Sequence, residues 1–201
     1  MRRISVPTIP GATRYRAATV RDADAIAALH ADSWRRNYRG AYADAYLDGD
    51  VFADRRTVWT ERLGEMSTGR RTIVAEADGA LVGFVHVVLD DDPVWGALLD
   101  NLHVTHDHQR HGIGAGLMTE AARLIAEATP ATRLYLWVLE QNQPAQAFYE
   151  FLGASRVGRE LVQPPGGDRS RLSVGAPAKL RYAWDDLAQL LRATGRGGSV
   201  G

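Results

Sequence analysis

Behind a polar start at Arg21, the positions Ile26, Leu29, Ser33 and Trp34 recur at helical spacing, which predicts a first helix through "RDADAIAALHADSWRRNY". A short strand, "YRAATV", precedes it from Tyr15. The stretch "ADAYLDGDVFADRRTVWTERLGEM" reads as further helix broken near Gly49, with Val58, Trp59 and Leu63 on its apolar side. The pattern then changes: "RTIVAEA" and "ALVGFVHVVLD" are β-rich runs separated by the turn dipeptide Asp78-Gly79, which predicts an antiparallel hairpin. A third strand, "WGALLDNLHV", leads into a helix with Leu117, Ala121, Leu124 and Ile125 on one side. "RLYLWVL" is a strand by its aromatic and branched content, and Asn142 begins a helix that runs through Phe148 and Phe151 and stops at Gly153. "GASRVGREL" and "AKLRYAW" make two last strands around the loop "QPPGGDRS". No repeat is evident. This order predicts an α/β (α+β) fold, a mixed sheet with helices on both faces. Residues 1–13 read as a flexible N-terminal arm, 14–191 as one domain, and the glycine-rich 192–201 as a disordered tail.

Composition changes this picture mainly by exclusion. Lys and Arg equal Asp and Glu at 24 each, and Arg alternates with acids along the chain, so no basic stripe points to nucleic acid. There is no cysteine, which removes disulfides, thiolate metal sites and a cysteine-bound covalent intermediate. No stretch approaches the roughly 18 apolar residues of a membrane span, and the basic start lacks a signal-peptide apolar run, so the expected address is cytoplasmic, with no membrane partner.

The segment "NLHVTHDHQRHGIGAGLM" puts Gly112, Gly114 and Gly116 at the opening of a helix, where glycine costs stability. A helix N-terminus offers free N–H groups and the positive end of the dipole, and glycines let a phosphate approach them. The same spacing also suits a tight loop with close helix-to-sheet packing. A P-loop would need Lys and then Ser or Thr after the last glycine, where Leu117 and Met118 stand. A dinucleotide fingerprint would put its glycines directly after the strand, whereas seven residues separate Val104 from Gly112.

The pattern Gln109, Gly112, Gly114 resembles the acetyl-CoA motif of the GNAT superfamily of N-acetyltransferases: Gln or Arg, two residues, Gly, one residue, then Gly or Ala. "LYLWVLEQNQPAQAFYEFLGA" resembles the second hallmark of the same superfamily, with Asn142, Ala145, Phe148, Tyr149 and Gly153 in place. The element order over 15–184 agrees. The resemblance implies a GNAT-like, mostly antiparallel sheet of six to seven strands and acetyl-CoA as co-substrate. It implies that the pantetheine arm lies along the backbone of Leu102, His103 and Val104. The diphosphate would sit on Gln109, Arg110, His111, Gly112, Ile113, Gly114 and Ala115, with Asn142, Ala145 and Phe148 on the far side. It departs from the family habit of a proline shortly after the strand.

Transfer to an amine needs one proton to leave the amine and another to reach the thiolate. Without cysteine, direct attack in a ternary complex is the economical route. Tyr149 stands where the family often has the tyrosine that protonates the thiolate, and it is also placed to be a core aromatic beside Phe148. Asp100 is the first choice of general base, or else a solvated strand-end carboxylate or a water chain's neighbour. His103 is a basic alternative that strand alternation puts on the opposite face. His103, His106, His108 and His111 invite a metal reading, but without cysteine and with only Asp107 beside them they read as loop residues, and no metal is expected. The aromatic-rich "SWRRNYRGAYADAYL" makes Trp34, Tyr38 and Tyr42 the expected acceptor-site walls, with a simple core position as the alternative for Trp34. "LDDD" at 89–92 reads as a solvated hairpin end. The expected acceptor is a small-molecule or peptide amine. A silent acetyl-CoA sensor and a longer-chain acyltransferase are the alternatives, and oligomeric state, a homodimer included, stays open.

Overall fold

The computed structural model describes residues 12–65, 68–130 and 132–197. Residues 1–11 of the expected arm and 198–201 of the expected tail lie outside them. Seven strands form one sheet in the order β1-β2-β3-β4-β5-β7-β6. The chain visits β1 (Arg14–Ala17), α1 (Ala23–Asn37), α2 (Asp44–Asp48), α3 (Val51–Gly64), β2 (Arg70–Ala77), β3 (Ala80–Asp92) and β4 (Gly96–Val104). It continues through α4 (Ile113–Ala128), β5 (Leu134–Leu139), α5 (Gln143–Phe151), β6 (Ser155–Leu161), β7 (Ala178–Trp184) and α6 (Leu187–Gly197). Every neighbouring pair is antiparallel except β4 and β5. The expected hairpin is present: Asp78 (φ 52°) and Gly79 (φ 79°) both take the left-handed backbone that a two-residue turn needs to match strand twist.

The sheet is covered on both faces. Ile113, Leu117, Met118, Ala121 and Ile125 of α4 pack on Val82, Val85, Val87 and Leu99, with Leu187 and Leu190 of α6 in the same core. On the other face Ile26 and Leu29 of α1 and Trp59 of α3 pack on Val74 and Phe84. The break near Gly49 separates α2 from α3.

Two expectations are corrected. The tail was expected from Arg192, but α6 continues to Gly197, because Leu187, Leu190, Leu191 and Thr194 repeat at helical spacing and dock on the α4 side, where Thr194 is buried. The second concerns β4. Val87 pairs with Leu99 but His86 with Asn101, so Asp100 is the extra residue of a β-bulge. Leu99 and Leu102 therefore both join the α4-side core although an odd number of residues apart. The bulge brings Asp100 and His103 to the same face, toward α3 and α1 respectively, where simple alternation separates them.

Three imidazoles meet where α1 packs on that face: His30 of α1, His86 of β3 and His103 of β4. His30 and His86 are buried, and His103 lies tilted against His30 with ring centres 4.6 Å apart. Burial lowers the basicity of all three, that of His103 to about 4, with Asp100 opposing the shift. Because these values lie below the ordinary 6.5, their stabilising contribution is fully present above pH 6.5 and is lost as pH falls from there toward 4. Each full unit of lowering costs about 1.4 kcal/mol once the ring is protonated. Calorimetry should therefore find Tm falling by several degrees between pH 7 and pH 5, above the range in which carboxylates such as Asp22, held at about 2 by Arg16, begin to protonate. A Tm that is flat across this interval would mean that the imidazoles are not buried in neutral form.

Candidate active site

β4 and β5 are hydrogen-bonded only at Ala97–Leu134, Leu98–Tyr135 and Leu99–Leu136. Beyond Leu99 they diverge, while β4 stays paired to β3 as far as Val104 and β5 to β7 as far as Leu139. Among the described residues, the facing edges from 100 and 137 onward thus have strand-like backbone with no partner strand, and such groups call for another hydrogen-bonding chain. The divergence opens a cleft of about 960 Å³. Its walls come from α1 (Ser33, Asn37), β4 (Asp100 to Val104), the start of α4 and α5 (Ala145, Phe148, Tyr149).

The cleft runs to the N-terminus of α4. Gly112 is the N-cap there; no side chain caps the helix and its first turn has no acidic residue. The first N–H groups of a helix have no intrahelical partner, and here the usual side-chain substitutes are missing too. Arg110 (φ 64°) and Gly112 (φ 79°) both adopt left-handed backbone, which curls the loop around the helix end. Backbone of that kind makes concavities that suit an anion. The glycines divide their duties. Gly112 supplies conformation, since a Cβ there would meet open space, whereas a Cβ on Gly116 would come within 2.0 Å of the Tyr15 hydroxyl, so α4 and β1 approach closely only because it is absent.

Of the residues expected to hold a cofactor, Leu102, His103, Val104, Gln109, Arg110, Gly112, Gly114, Ala115, Asn142, Ala145 and Phe148 all line this one cleft. Ile113 does not: its side chain is buried in the core, so only its amide can face the opening. His111 is exposed outside the lining. Asn142 has a local task as the N-cap of α5, its Oδ1 accepting from the Ala145 N–H at 3.3 Å.

Tyr149 is 8 % exposed, packs against Phe148, Tyr182 and Trp184, and still reaches the cleft. Burial pushes its phenol well above the ordinary value, so it keeps its proton at neutral pH. Asp100 lines the cleft and accepts from Arg62 Nη1 and Asn101 Nδ2, each at 2.7 Å on the same oxygen.

The expected acceptor walls separate into lining and backing. Tyr38 lines the cleft, and burial, reinforced by Tyr42, Tyr149 and Asp100, pushes its phenol up. Trp34 and Tyr42 are not in the lining. Trp34 is 7 % exposed in a small core with Tyr46, Leu47 and Val51, stacked under the Arg55 guanidinium at 4.4 Å, and Tyr42 packs behind Tyr38 at 5.3 Å between ring centres. The connection 162–177 buttresses this wall: Tyr42 bridges to Leu172, and Ala43 N donates to Arg171 O at 2.9 Å.

Ser33, Asn37 and Trp137 line the cleft although sequence patterning did not single them out as binding residues. Ser33 sat visibly on the apolar stripe of α1, and a hydroxyl in such a position was the available signal. The four histidines scatter: His103 turns inward to Ser33, His108 Nδ1 lies 3.0 Å from Thr105 Oγ1, and His106 and His111 are exposed. Among the described residues no group of three or more His, Cys, Asp or Glu gathers as a metal site, and no helix is long and apolar enough to cross a membrane.

The chain resembles known proteins over most of its length. The family model described as Acetyltransferase (GNAT) family matches residues 24–154. The probable N-acetyltransferase Rv2775 of Mycobacterium tuberculosis is 31 % identical over 159 residues, which cover 78 % of this chain and 87 % of that protein. The uncharacterized N-acetyltransferase YuaI of Bacillus subtilis is 24 % identical over 177 residues, covering 87 % and 94 %. Among solved structures, the PaiA N-acetyltransferase of Thermoplasma acidophilum, in complex with coenzyme A, superposes with a TM-score of 0.63 at 17 % identity, covering 85 % of this chain and 98 % of its own. A GCN5-related N-acetyltransferase of Rhodopseudomonas palustris gives 0.66 at 19 % identity, covering 88 % and 97 %. With the family model spanning well over half of the chain and the mycobacterial relative agreeing along most of it, this protein belongs to the GNAT family of acetyltransferases.

Proposed function

We propose that the protein moves an acetyl group from acetyl-CoA to a primary amine, carried by a small molecule or a peptide, by direct attack within a ternary complex. The observation that carries this reading is a single cleft joining an unpaired β4 edge, an uncapped helix N-terminus and a buried protonated tyrosine. Acetyl-CoA has matching parts: amides in its pantetheine arm for the backbone of Leu102, His103 and Val104, and a diphosphate for the amides of residues 109–115. Ala145 and Phe148 close the far side.

The amine nitrogen attacks the thioester carbonyl carbon, the C–N bond forms, and the C–S bond breaks with its electron pair on sulfur. Tyr149 gives its phenol proton to that sulfur. Asp100 presents negative charge beside the entry of the amine, although Arg62 occupies one of its oxygens. Tyr38 forms the wall along which the acceptor lies.

Isothermal titration with acetyl-CoA followed by an amine screen for free-thiol release tests this reading. Micromolar binding with thiol release is expected. Binding without release from any amine would favour a sensing module, and no binding at all would sink the cradle. Gly114→Val sharpens the test, because a Cβ at Gly114 already lies 3.4 Å from the Phe148 ring and a larger side chain fills the gap between α4 and α5. Gly114 has no positive φ, so strain does not confound the result as it would at Gly112. Affinity should drop about tenfold or more, about 1.4 kcal/mol, with Tm little changed. Unaltered affinity would place the cofactor elsewhere.

A further inference from the structure

We propose that Ser33 and His103 form the relay that takes the proton from the attacking amine. The proposal rests on the transfer reading above and deepens it at the acceptor side. Ser33, on α1, and His103, 70 positions later on β4, both line the cleft, and Ser33 Oγ lies 2.8 Å from His103 Nδ1. Asn37, one helical turn after Ser33, donates from Nδ2 to the Ser33 carbonyl at 2.9 Å and reaches Oγ at 3.4 Å. The imidazole is backed by His30 at 4.6 Å and Phe84 at 5.3 Å between ring centres. His30 is itself fixed, because Trp59 Nε1–H donates to its Nδ1 at 3.0 Å in the buried layer beneath. The pair is thus held on both sides: Ser33 by its helix, His103 by the rings of His30 and Phe84 packed against it.

Asp100 is less suited to the same task. One of its oxygens already accepts from both Arg62 and Asn101, each at 2.7 Å, so these two donors hold the carboxylate toward α3. Its place on the same face as His103 gives it another use. Among the described residues it is the one charged neighbour that favours a protonated His103, while burial lowers the ring to about 4 and keeps it neutral at rest. Of the titratable groups around the relay, His30 of α1 lies against the His103 ring and Asp100 of β4 acts on it; His30 in turn feels Arg55 and Arg62 from α3 and His86 from β3, while Tyr38 and Tyr149 line the same cleft. A weakly basic ring is adequate here, since the proton leaves a nitrogen that carries positive charge once the C–N bond has formed.

The step balances. The amine proton passes to Ser33 Oγ as the Ser33 hydroxyl proton moves to His103 Nδ1, while the C–S electron pair departs on sulfur and receives the Tyr149 proton. One proton is gained at His103 and one lost at Tyr149, and solvent restores both after the products leave.

The test begins with wild-type thiol release and an amine that supports it. Ser33→Ala and His103→Gln should then each lower kcat about 100-fold. Affinity for acetyl-CoA, read by titration calorimetry, should stay within about twofold, because only the backbone of His103 faces the cofactor. The double variant should be no worse than the poorer single one, since the two act as a unit. Both single variants should lose the acidic limb of the pH–rate profile, while Asp100→Asn keeps it. An intact acidic limb with kcat within about threefold in Ser33→Ala, or loss of the limb in Asp100→Asn alone, overturns the relay and leaves the transfer reading standing. A wild-type protein that turns over no amine overturns both. Should His103→Gln fail to fold, Ser33→Ala decides alone, for it removes one oxygen and leaves the packed rings in place.

Discussion

Tyr149→Phe is expected to lower kcat by about 100-fold or more while leaving acetyl-CoA affinity near the wild-type value. The substitution removes one oxygen and keeps the ring, so the packing against Phe148, Tyr182 and Trp184 survives. What is lost is a phenol that burial keeps protonated, with no hydrogen-bond partner of its own among the described residues to hold it away from the cleft. Because its ionisation lies far above neutral pH, Tyr149 should impose no alkaline limb on the rate between pH 7 and the ordinary tyrosine range. Steady-state kinetics beside titration calorimetry separates the two outcomes. A variant whose affinity collapses while turnover of bound complex persists would make Tyr149 a wall of the site and not its acid.

Trp59→Ala should cause the largest loss of stability, about 3–5 kcal/mol. Trp59 is fully buried, and it is the keystone of the α1 face: it meets Phe84 and His86 edge-on at 5.0 and 5.3 Å between ring centres and donates its N–H to His30. Truncation leaves a cavity and an orphaned His30 Nδ1 together. The Arg62 guanidinium lies 5.2 Å over the same ring and pairs with Asp100, so the damage should reach the cleft as weaker turnover as well. Urea denaturation at constant m would measure it. Trp59→Phe, which keeps most of the volume but no N–H, should lose clearly less. A loss below about 1 kcal/mol for the alanine variant would show that this layer collapses around the gap.

Much of the fold could be read along the chain because its determinants are local. The Asp78-Gly79 turn carries its own backbone preference, Gly153 takes a φ of 88° just past α5, and the periods of α1, α4 and β3 name their buried faces. The glycine segment was legible for the same reason: a helix start with no capping side chain is a statement about consecutive residues. Trp34 was misleading, because aromatic content predicts burial and binding equally well and only packing tells them apart. The tail was misread at Arg192 because glycine weakens a helix locally while the α4 surface stabilises α6 from outside the segment.

By itself, then, the sequence determined the element order, the hairpin, the glycine loop that lines the cleft and the position of Tyr149 on its helix, all of which follow from short-range periodicity and turn chemistry. Only the tertiary structure decided that β4 bulges at Asp100, that β4 and β5 part after Leu99, and that Ser33 meets His103. A bulge and a strand divergence are matters of register between chains of hydrogen bonds, and a contact 70 residues apart depends on how α1 lies across the sheet. None of these has a local residue pattern to announce it, since each is the compromise that lets two faces of one sheet pack at once.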